Sequence, residues 1–394
     1  MDADTALELV RRGVTLLLLD VPQHTLLGID TQMFSIGPAF KGLKMIPPGI
    51  HFVYYSSSSR DGKEFSPIVG FFVDAGPSEV VIRRWNAEEE RLASVSEEEA
   101  ERYCQAVRSM EFDRQLGPYD QNRFGDWKRL SNYITKETIQ RLEPIGGEIT
   151  VTSESEILKN TPKTAMEKAL DEQLTTKKGS ATEDMSQGRG CYYTSIPRFV
   201  KRQGIESHEL TSLNLDKTLL LETILATEFG GSEDLLLGEF QFSFIAFLMG
   251  QSLESFFQWK ALVGLLLGCT EAPFQTRTQL FTKFVRVIYY QLKHGLQKET
   301  ADNRNTEQGT SALLDDLWFS TDSFLHRLCK DFFSLVLGAP VVDGELLSWT
   351  RKFKELLENA LGWEFQQNSA VDGMYFDEDD EFAPTIEMID DQNL

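Results

Sequence analysis

The feature that most limits what this chain can fold into is a polar stretch near its middle. Between residues 150 and 190 the sequence is rich in Ser, Thr, Lys, Glu and Gly and has few large apolar side chains. Such a stretch cannot bury enough apolar surface to offset the entropy that ordering costs. We therefore predict a flexible polar linker over 149–208, with a candidate strand at 191–196, between one folded part over 1–148 and a second over 209–363.

The first part is predicted to be β structure. A short apolar run occurs at 14–19 and a strand-like run at 49–55, and two runs rich in Val, Ile and Phe follow at 67–73 and 79–85, with Gly and Pro residues between them. Runs of this length and spacing are typical of a small antiparallel sheet or sandwich.

The second of these runs has a clear alternation. His51, Val53 and Tyr55 fall on one face of an extended strand, and Phe52 and Tyr54 fall on the other. We expect His51 to be a packed or hydrogen-bonded core residue rather than a metal ligand, because the chain's five histidines are widely scattered.

Three short helices are predicted to complete the N-terminal domain. Ser96 and Glu99 have the spacing of a capping box, which places a helix start near Ser96. Gly117-Pro118 is expected to end that helix. Two further helices are predicted at 126–133 and 135–142, and we expect this helical coda to pack against the sheet.

The second part is predicted to be all-α. Its loops are mostly short, so sequential helices are expected to be antiparallel neighbours. The fold class is therefore α+β with two domains: a β-sandwich-like N-terminal domain with a short helical coda, and a C-terminal all-α domain of stacked helices. The six predicted helices are one around 219–225 that stops at Gly230-Gly231, one capped by Ser232 that runs to Met249, one capped by Ser252 that runs to about Leu267, one with Pro273 at its first position that runs to His294, one from Ser320 or Thr321 to Leu337, and one over 343–361.

The last 31 residues, 364–394, form an acidic tail with ten acidic side chains and no basic one. Blocks of like charge stay solvated and often act as interaction tails. A β-prone hexamer at 384–389 has no partner strand nearby, and a lone strand is unstable in water. The hexamer either folds back on its own helical domain or adds to a sheet edge of a partner. The partner-binding candidates are Thr385, Ile386, Glu387, Met388 and Ile389.

Charge and cysteine usage narrow the class of protein. The chain has 39 basic and 61 acidic residues, a net charge of −22, which argues against direct nucleic-acid binding driven by phosphate contacts. Its four cysteines have no zinc or redox spacing, as in a reduced intracellular protein. The longest apolar runs, 242–250 and 261–269, are about half of the ~20 residues that a membrane span needs. We expect a soluble, metal-free monomer when no partner is bound.

No common catalytic motif is present. The sequence has no GxxxxGK[ST] or GxGxxG phosphate loop, no GxSxG nucleophile turn and no HExxH zinc motif. Cys104, Cys269 and Cys329 lie on apolar helix faces, where a buried, inert thiol is the usual state. We therefore predict no enzymatic activity and no cofactor.

A set of short motifs carries more information than the physical pattern. The first begins at Gly28-Ile29-Asp30 and continues with Gly37, Pro38, Phe40, Gly42, Lys44, Met45, Pro47, Pro48, Gly49 and His51, and we call these last ten residues the motif block. Later motifs are 115–119, Trp127 with Asn132, Asp234-Leu235, 237–242, 247–250, and Phe256 with Trp259, Lys260 and Leu262. In this order they resemble the splicing-factor family named for a1–alpha2 repression (the Aar-two type).

The resemblance implies a non-enzymatic assembly chaperone of the U5 snRNP in pre-mRNA splicing, present in cytoplasm and nucleus. Such a protein is expected to hold the RNase H-like and Jab1/MPN-like domains of the large spliceosomal scaffold protein and to block premature binding of the helicase and of RNA. The alternative from the physical pattern alone is a helical-domain adaptor that reads short peptide motifs, for example in trafficking.

The roles within the motif block are interpreted as mainly structural. Gly37, Gly42 and Gly49 are expected to supply turn geometry, and Pro47-Pro48 a rigid entry into the following strand, rather than direct partner contacts.

The linker carries three candidate phosphorylation sites. Ser153 and Ser180 each have a Glu three residues on, and Thr161 precedes a proline. Phosphate there adds negative charge that can trigger release from a partner. Such short patterns also arise by chance, so silent sites are the competing interpretation.

Overall fold

The structure, a computed structural model, describes residues 9, 12–58, 65–151, 190–197, 215–296 and 323–365. We call the described residues within 12–151 the N-terminal half and those within 215–365 the C-terminal half. Most of the predicted linker and the tail beyond Phe365 lie outside the described residues. Within the described part, every helix is too short or too polar to cross a membrane.

The N-terminal half contains two five-stranded sheets. Their orders are β8-β7-β1-β4-β9 and β10-β6-β5-β2-β3. The predicted antiparallel arrangement is correct for most pairs but wrong for β1 with β7 and β4 with β9, which are parallel. The strands are β1 (Val14–Leu19), β2 (Leu26–Ile29), β3 (Gln32–Ser35), β4 (Gly42–Ile46), β5 (Gly49–Ser56), β6 (Val69–Ala75), β7 (Val80–Asn86), β8 (Arg91–Ala93), β9 (Leu116–Pro118) and β10 (Ile149–Thr150).

The two sheets pack face to face, which confirms the sandwich-like N-terminal domain. Residues of β1 and β4 in one sheet share a core with residues of β2, β5 and β6 in the other. Val53 and Tyr55 of β5 lie in this core, whereas Phe52 and Tyr54 point away from it into a second core. The predicted alternation along β5 is confirmed, and both of its faces are buried.

The coda consists of α1 (Glu97–Arg108), α2 (Gln121–Ser131) and α3 (Lys136–Leu142). Ser96 caps α1 by accepting from the Glu99 N–H, but the Glu99 carboxylate pairs with Arg84. The helix ends at Arg108, so the predicted end at Gly117-Pro118 is wrong. That dipeptide lies in β9, because its backbone pairs with β4.

The C-terminal half is all-helical, as predicted, and both predicted N-caps are confirmed: Ser232 and Ser252 each accept a backbone N–H at the start of a helix. Asp343, predicted as the first residue of the last helix, is its N-cap instead. Ser320 and Thr321 lie outside the described residues, and Ser323 caps the fifth helix instead. The helices are α4 (Thr218–Glu228), α5 (Glu233–Leu248), α6 (Leu253–Leu267), α7 (Thr278–Leu296), α8 (Phe324–Gly338) and α9 (Gly344–Leu361).

Two details of this half correct the sequence-based predictions. Pro273 does not begin a helix: it lies in a turn closed by bonds from Phe274 and Gln275 to the Glu271 carbonyl, and α7 starts at Thr278. The expectation of sequential neighbours holds for α5 with α6 and α8 with α9, but α7 packs most extensively against α9. Of the three thiols expected to be buried, Cys269 and Cys329 are, whereas Cys104 is partly exposed.

Candidate functional site

The two halves share one hydrophobic core. Phe52 and Tyr54 of β5 and Trp127 of α2 belong to the same cluster of buried side chains as the centre of α5. The rings of Phe72 and Phe242 stack at 4.6 Å between centroids across the junction. The helical coda therefore packs against the sheet on one side and against the C-terminal half on the other.

A buried polar network lies beside this core and is centred on Asp30. The Asp30 carboxylate is within 2.7 Å of His51 Nδ1 and accepts from the Tyr119 hydroxyl at 2.6 Å and from the Phe52 N–H at 3.0 Å. Asp30 is fully buried and His51 nearly so. His51 is thus a hydrogen-bonded core residue, as predicted.

The charge state of His51 follows from its neighbours. Nε2 lies 2.6 Å from the Pro47 carbonyl, so both ring nitrogens face acceptors and both must carry protons. Burial lowers the pKa of His51, but the Asp30 carboxylate and the Pro47 carbonyl outweigh it, and the pKa is raised. The network is therefore a buried ion pair that joins β5 to the turn after β2.

Other residues of the motif block also contact this chain. Lys44 pairs with Asp113 at 2.5 Å, and the Met45 carbonyl accepts from Gln121 at 2.7 Å. Gly42 has φ +138°, and a Cβ there would lie 1.9 Å from the Leu16 carbonyl. Phe40 packs edge-on against Phe34.

The rest of the block divides by exposure. Pro47 is buried, Gly49 is half-buried with φ +133°, and Gly37, Pro38 and Pro48 are exposed. Most of the block thus serves internal contacts, as a structural role requires, and three residues remain accessible. Ser153, Thr161, Ser180 and the five tail candidates at 385–389 lie outside the described residues.

A second buried network, on α5, was not predicted. The Glu239 carboxylate accepts from the N–H and the hydroxyl of Thr194, each at 2.8 Å, and from Gln258 at 2.7 Å. Arg141 of α3 lies 3.3 Å from the same carboxylate. Burial raises the pKa of Glu239 despite these donors. Through these bonds Glu239 of α5 contacts the coda, the 190–197 segment and α6 at the same time.

Gly238 and Gln241 complete this contact. A Cβ on Gly238 would lie 2.6 Å from the Tyr133 carbonyl, so only glycine lets α5 approach the coda this closely. Gln241 accepts from the Tyr133 N–H at 2.7 Å and donates to Asn132 at 2.9 Å. The available sequence signal was the presence of Glu239 and Gln241 inside an otherwise apolar helix, because buried polar groups require partners.

The 190–197 segment crosses the junction without forming the predicted strand, so that prediction is wrong. Side chains and one carbonyl, rather than a neighbouring strand, satisfy its backbone. Tyr192 N–H donates to the Leu142 carbonyl at 2.9 Å, and Gln258 donates to the Thr194 carbonyl at 3.0 Å. The Tyr193 hydroxyl bonds Ser255 at 2.6 Å.

Glu254 contacts the start of this segment, and its raised pKa predicts how the free energy of unfolding depends on pH. Burial raises the pKa of Glu254 to about 7, although the Cys191 N–H acts in the opposite direction. Between pH ~4.5 and ~7 the folded state therefore keeps a proton that the unfolded state has lost. The free energy of unfolding consequently falls as pH rises through this range. We expect Glu254→Gln to remove this contribution, about 3 kcal/mol between pH ~4.5 and ~8.

The measurement is urea unfolding of wild type and variant across that pH range. The matched control is Glu355→Gln, which changes an exposed carboxyl on α9 and is expected to leave the pH profile unchanged. A Glu254→Gln profile parallel to that of wild type would contradict the assignment.

These observations define a class: a two-part α+β protein whose buried polar groups are used to lock its halves together. Within the described residues, no cluster of three His, Cys, Asp or Glu side chains has the geometry of a metal site. The chain belongs to the AAR2 family. The AAR2 N-terminal domain matches residues 12–144, and the AAR2 C-terminal repeat region matches residues 193–366.

Curated relatives are similar over most of their length. Protein AAR2 homolog of Homo sapiens is 30% identical over 380 residues, 93% of each chain. The Caenorhabditis elegans homolog is 30% identical over 371 residues, 90% of this chain and 95% of its own. The A1 cistron-splicing factor AAR2 of Saccharomyces cerevisiae is 22% identical over 290 residues, 69% of this chain and 74% of its own. The family predicted from the motifs is thereby confirmed.

Proposed function

We propose that this protein is a non-enzymatic assembly factor of the U5 snRNP in pre-mRNA splicing. The observation that carries the proposal is family membership over both halves, together with the splicing-factor name of the Saccharomyces cerevisiae relative. In this proposal the protein holds the RNase H-like and Jab1/MPN-like domains of the large scaffold protein. It blocks premature binding of the helicase and of RNA, and works in both cytoplasm and nucleus.

The junction supports such a role mechanically. A protein that keeps two partner domains in a fixed relation needs binding surfaces that do not move against each other. The shared core and the buried network around Glu239 join the halves over a large contact, and the Asp30 network fixes the N-terminal half internally. Interfaces between loosely joined domains are smaller and more polar, and they allow relative motion.

Charge supports the proposal as well. A net charge of −22 can cover a basic, RNA-binding partner surface and repel RNA from it. Rim charges of this kind mainly raise the association rate and make it salt-dependent.

Affinity capture with mass spectrometry separates this function from that of a peptide-reading adaptor. We expect U5 snRNP proteins without the mature helicase. Coat or endosomal proteins, without snRNP components, would favour the adaptor and contradict the proposal.

The tail hexamer is proposed to add as a strand to the scaffold. Truncation after Glu381 removes 382–394 but keeps the acidic run at 377–381. We expect it to weaken scaffold binding at least tenfold with an unchanged melting temperature, because the strand's main-chain hydrogen bonds form only with the partner. Truncation after Ile389 keeps the hexamer and is the control, expected to bind within about twofold of wild type. Equal binding by both truncations would exclude the hexamer as a contact.

A further inference from the structure

A basic cleft opens where the two halves meet. Lys128 and Arg129 of α2 face Lys283 and Arg286 of α7 across a cavity of about 200 Å³. Lys128, Arg129 and Arg286 are exposed. Four cations around one small cavity are notable in a chain of net charge −22. We call this the junction cleft.

Aromatic rings lie next to three of the four cations. Arg129 lies 5.3 Å from the centre of the Tyr290 ring, and Lys283 lies 5.9 Å from that of Tyr133. Arg286 lies 5.8 Å from the ring centre of Trp349 on α9. Such contacts orient a cation while leaving its donors open to another ligand.

The charge in the cleft is only partly neutralised. Arg129 pairs with Asp126 at 2.7 Å and Lys283 with Asp234 at 2.8 Å. Among the described residues, no carboxylate forms an ion pair with Lys128 or Arg286. The cleft therefore keeps an excess of two positive charges, which suits an anionic ligand of small cross-section.

The chain carries such a ligand. Beyond Phe365 it continues for 29 residues with nine acidic side chains and no basic one, and five of the nine are consecutive at 377–381. Phe365 lines a cavity together with Arg351 and Lys354 of α9, the helix whose Trp349 contacts Arg286 of the cleft. From the end of α9 back to Trp349 is about 18 Å along the helix axis. Eleven residues separate Phe365 from Asp377, and a segment of that length can reach up to ~36 Å.

We propose that the junction cleft binds the chain's own acidic run, Asp377–Glu381, when no partner is present. The acidic run is favoured over other anionic ligands because it belongs to the same chain as the cleft. A tethered segment has an effective concentration near the millimolar range, whereas a separate acidic peptide or nucleic acid must first overcome the repulsion of the whole chain. This inference concerns the free protein and does not rest on the proposed function. A partner that captures the tail uncovers the cleft.

The test uses the full chain with the acidic run neutralised by Asp377→Asn, Glu378→Gln, Asp379→Asn, Asp380→Asn and Glu381→Gln. A fluorescent peptide of residues 372–394 should bind this variant with a micromolar Kd, and the Kd should rise with salt concentration. The peptide should bind wild type at least tenfold more weakly, because the attached tail already occupies the cleft.

The cleft itself is tested by adding Lys128→Glu and Arg286→Glu to the neutralised variant, which should weaken peptide binding at least tenfold. The matched control adds Arg108→Glu and Lys330→Glu, two exposed cations on α1 and α8, and should stay within twofold. Equal peptide affinity for wild type and the neutralised chain, or equal effects of the two double changes, would overturn the proposal. Displacement of the peptide by a lower concentration of single-stranded RNA would identify a nucleic-acid site and also overturn it.

Carbodiimide cross-linking gives a second measurement on the unmodified wild-type chain. We expect amide links from Lys128 or Lys283 to carboxyls of 377–381, located by mass spectrometry. Links from the acidic run only to lysines outside the cleft would contradict the proposal.

Discussion

Replacing His51 by alanine is expected to lower the free energy of unfolding by about 3–5 kcal/mol, because it leaves the carboxylate of Asp30 buried without its charged partner. Asp30 is fully buried, and its remaining donors are the Tyr119 hydroxyl and the Phe52 N–H. Urea unfolding at neutral pH is the measurement. His24→Asn changes an exposed histidine whose left-handed backbone (φ 68°) asparagine tolerates, and it should stay within about 0.5 kcal/mol of wild type.

The same pair has a defined pH dependence. Because the pKa of folded His51 is raised above 6.5, its contribution is fully present below that pH and is lost as pH rises through the raised value. The gap between wild type and His51→Ala should therefore narrow in alkaline solution. A gap below 1 kcal/mol at neutral pH, or one that widens with pH, would contradict the buried ion pair.

Gly238→Val is expected to cost about 3 kcal/mol, at the upper end of the usual range for overpacking. Its Cβ would lie 2.6 Å from the Tyr133 carbonyl and 2.8 Å from the Thr138 hydroxyl, and a backbone carbonyl between packed helices cannot move aside cheaply. The gain in helix propensity from Gly to Val is only about 0.3 kcal/mol, so the clash decides the sign.

Gly125→Val is the matched control, because Gly125 also lies within a helix and a Cβ there would meet nothing within 4 Å. We expect a change of less than about 0.5 kcal/mol. Thermal unfolding of both variants, followed by signals from each half, is the measurement. Equal stabilities of the two variants would show that α5 does not pack tightly on the coda.

Elements whose residues follow a local sequence pattern, such as a strand alternation or a helix cap, could be predicted from the sequence. The alternation of β5 is visible over a few residues, and the caps at Ser232 and Ser252 depend only on a side chain and the N–H three positions on. The prediction from Pro273 was wrong because proline is favoured both in a turn before a helix and at the first position of a helix. The parallel pairing of β1 with β7 depends on the rest of the sheet and leaves no local trace.

The two buried polar networks were harder to predict from the sequence for the same reason. The motif block pointed to the right region, but the partners of Asp30 are Tyr119, 89 positions away, and His51, 21 positions away. The Glu239 network joins Arg141, Thr194 and Gln258, which no spacing rule brings together. A polar residue in an apolar helix signals that a buried partner exists, but the sequence does not say which distant group supplies it.

The most direct test of the proposed function is reconstitution with the scaffold protein of the same organism. The full chain is mixed with the purified RNase H-like and Jab1/MPN-like domains, and the complex is analysed by sedimentation and by competition with the helicase. We predict one complex with a single copy of each component, in which helicase binding to the Jab1/MPN-like domain is at least tenfold weaker. Absence of binding to both domains, or unhindered helicase binding to the complex, would contradict the account.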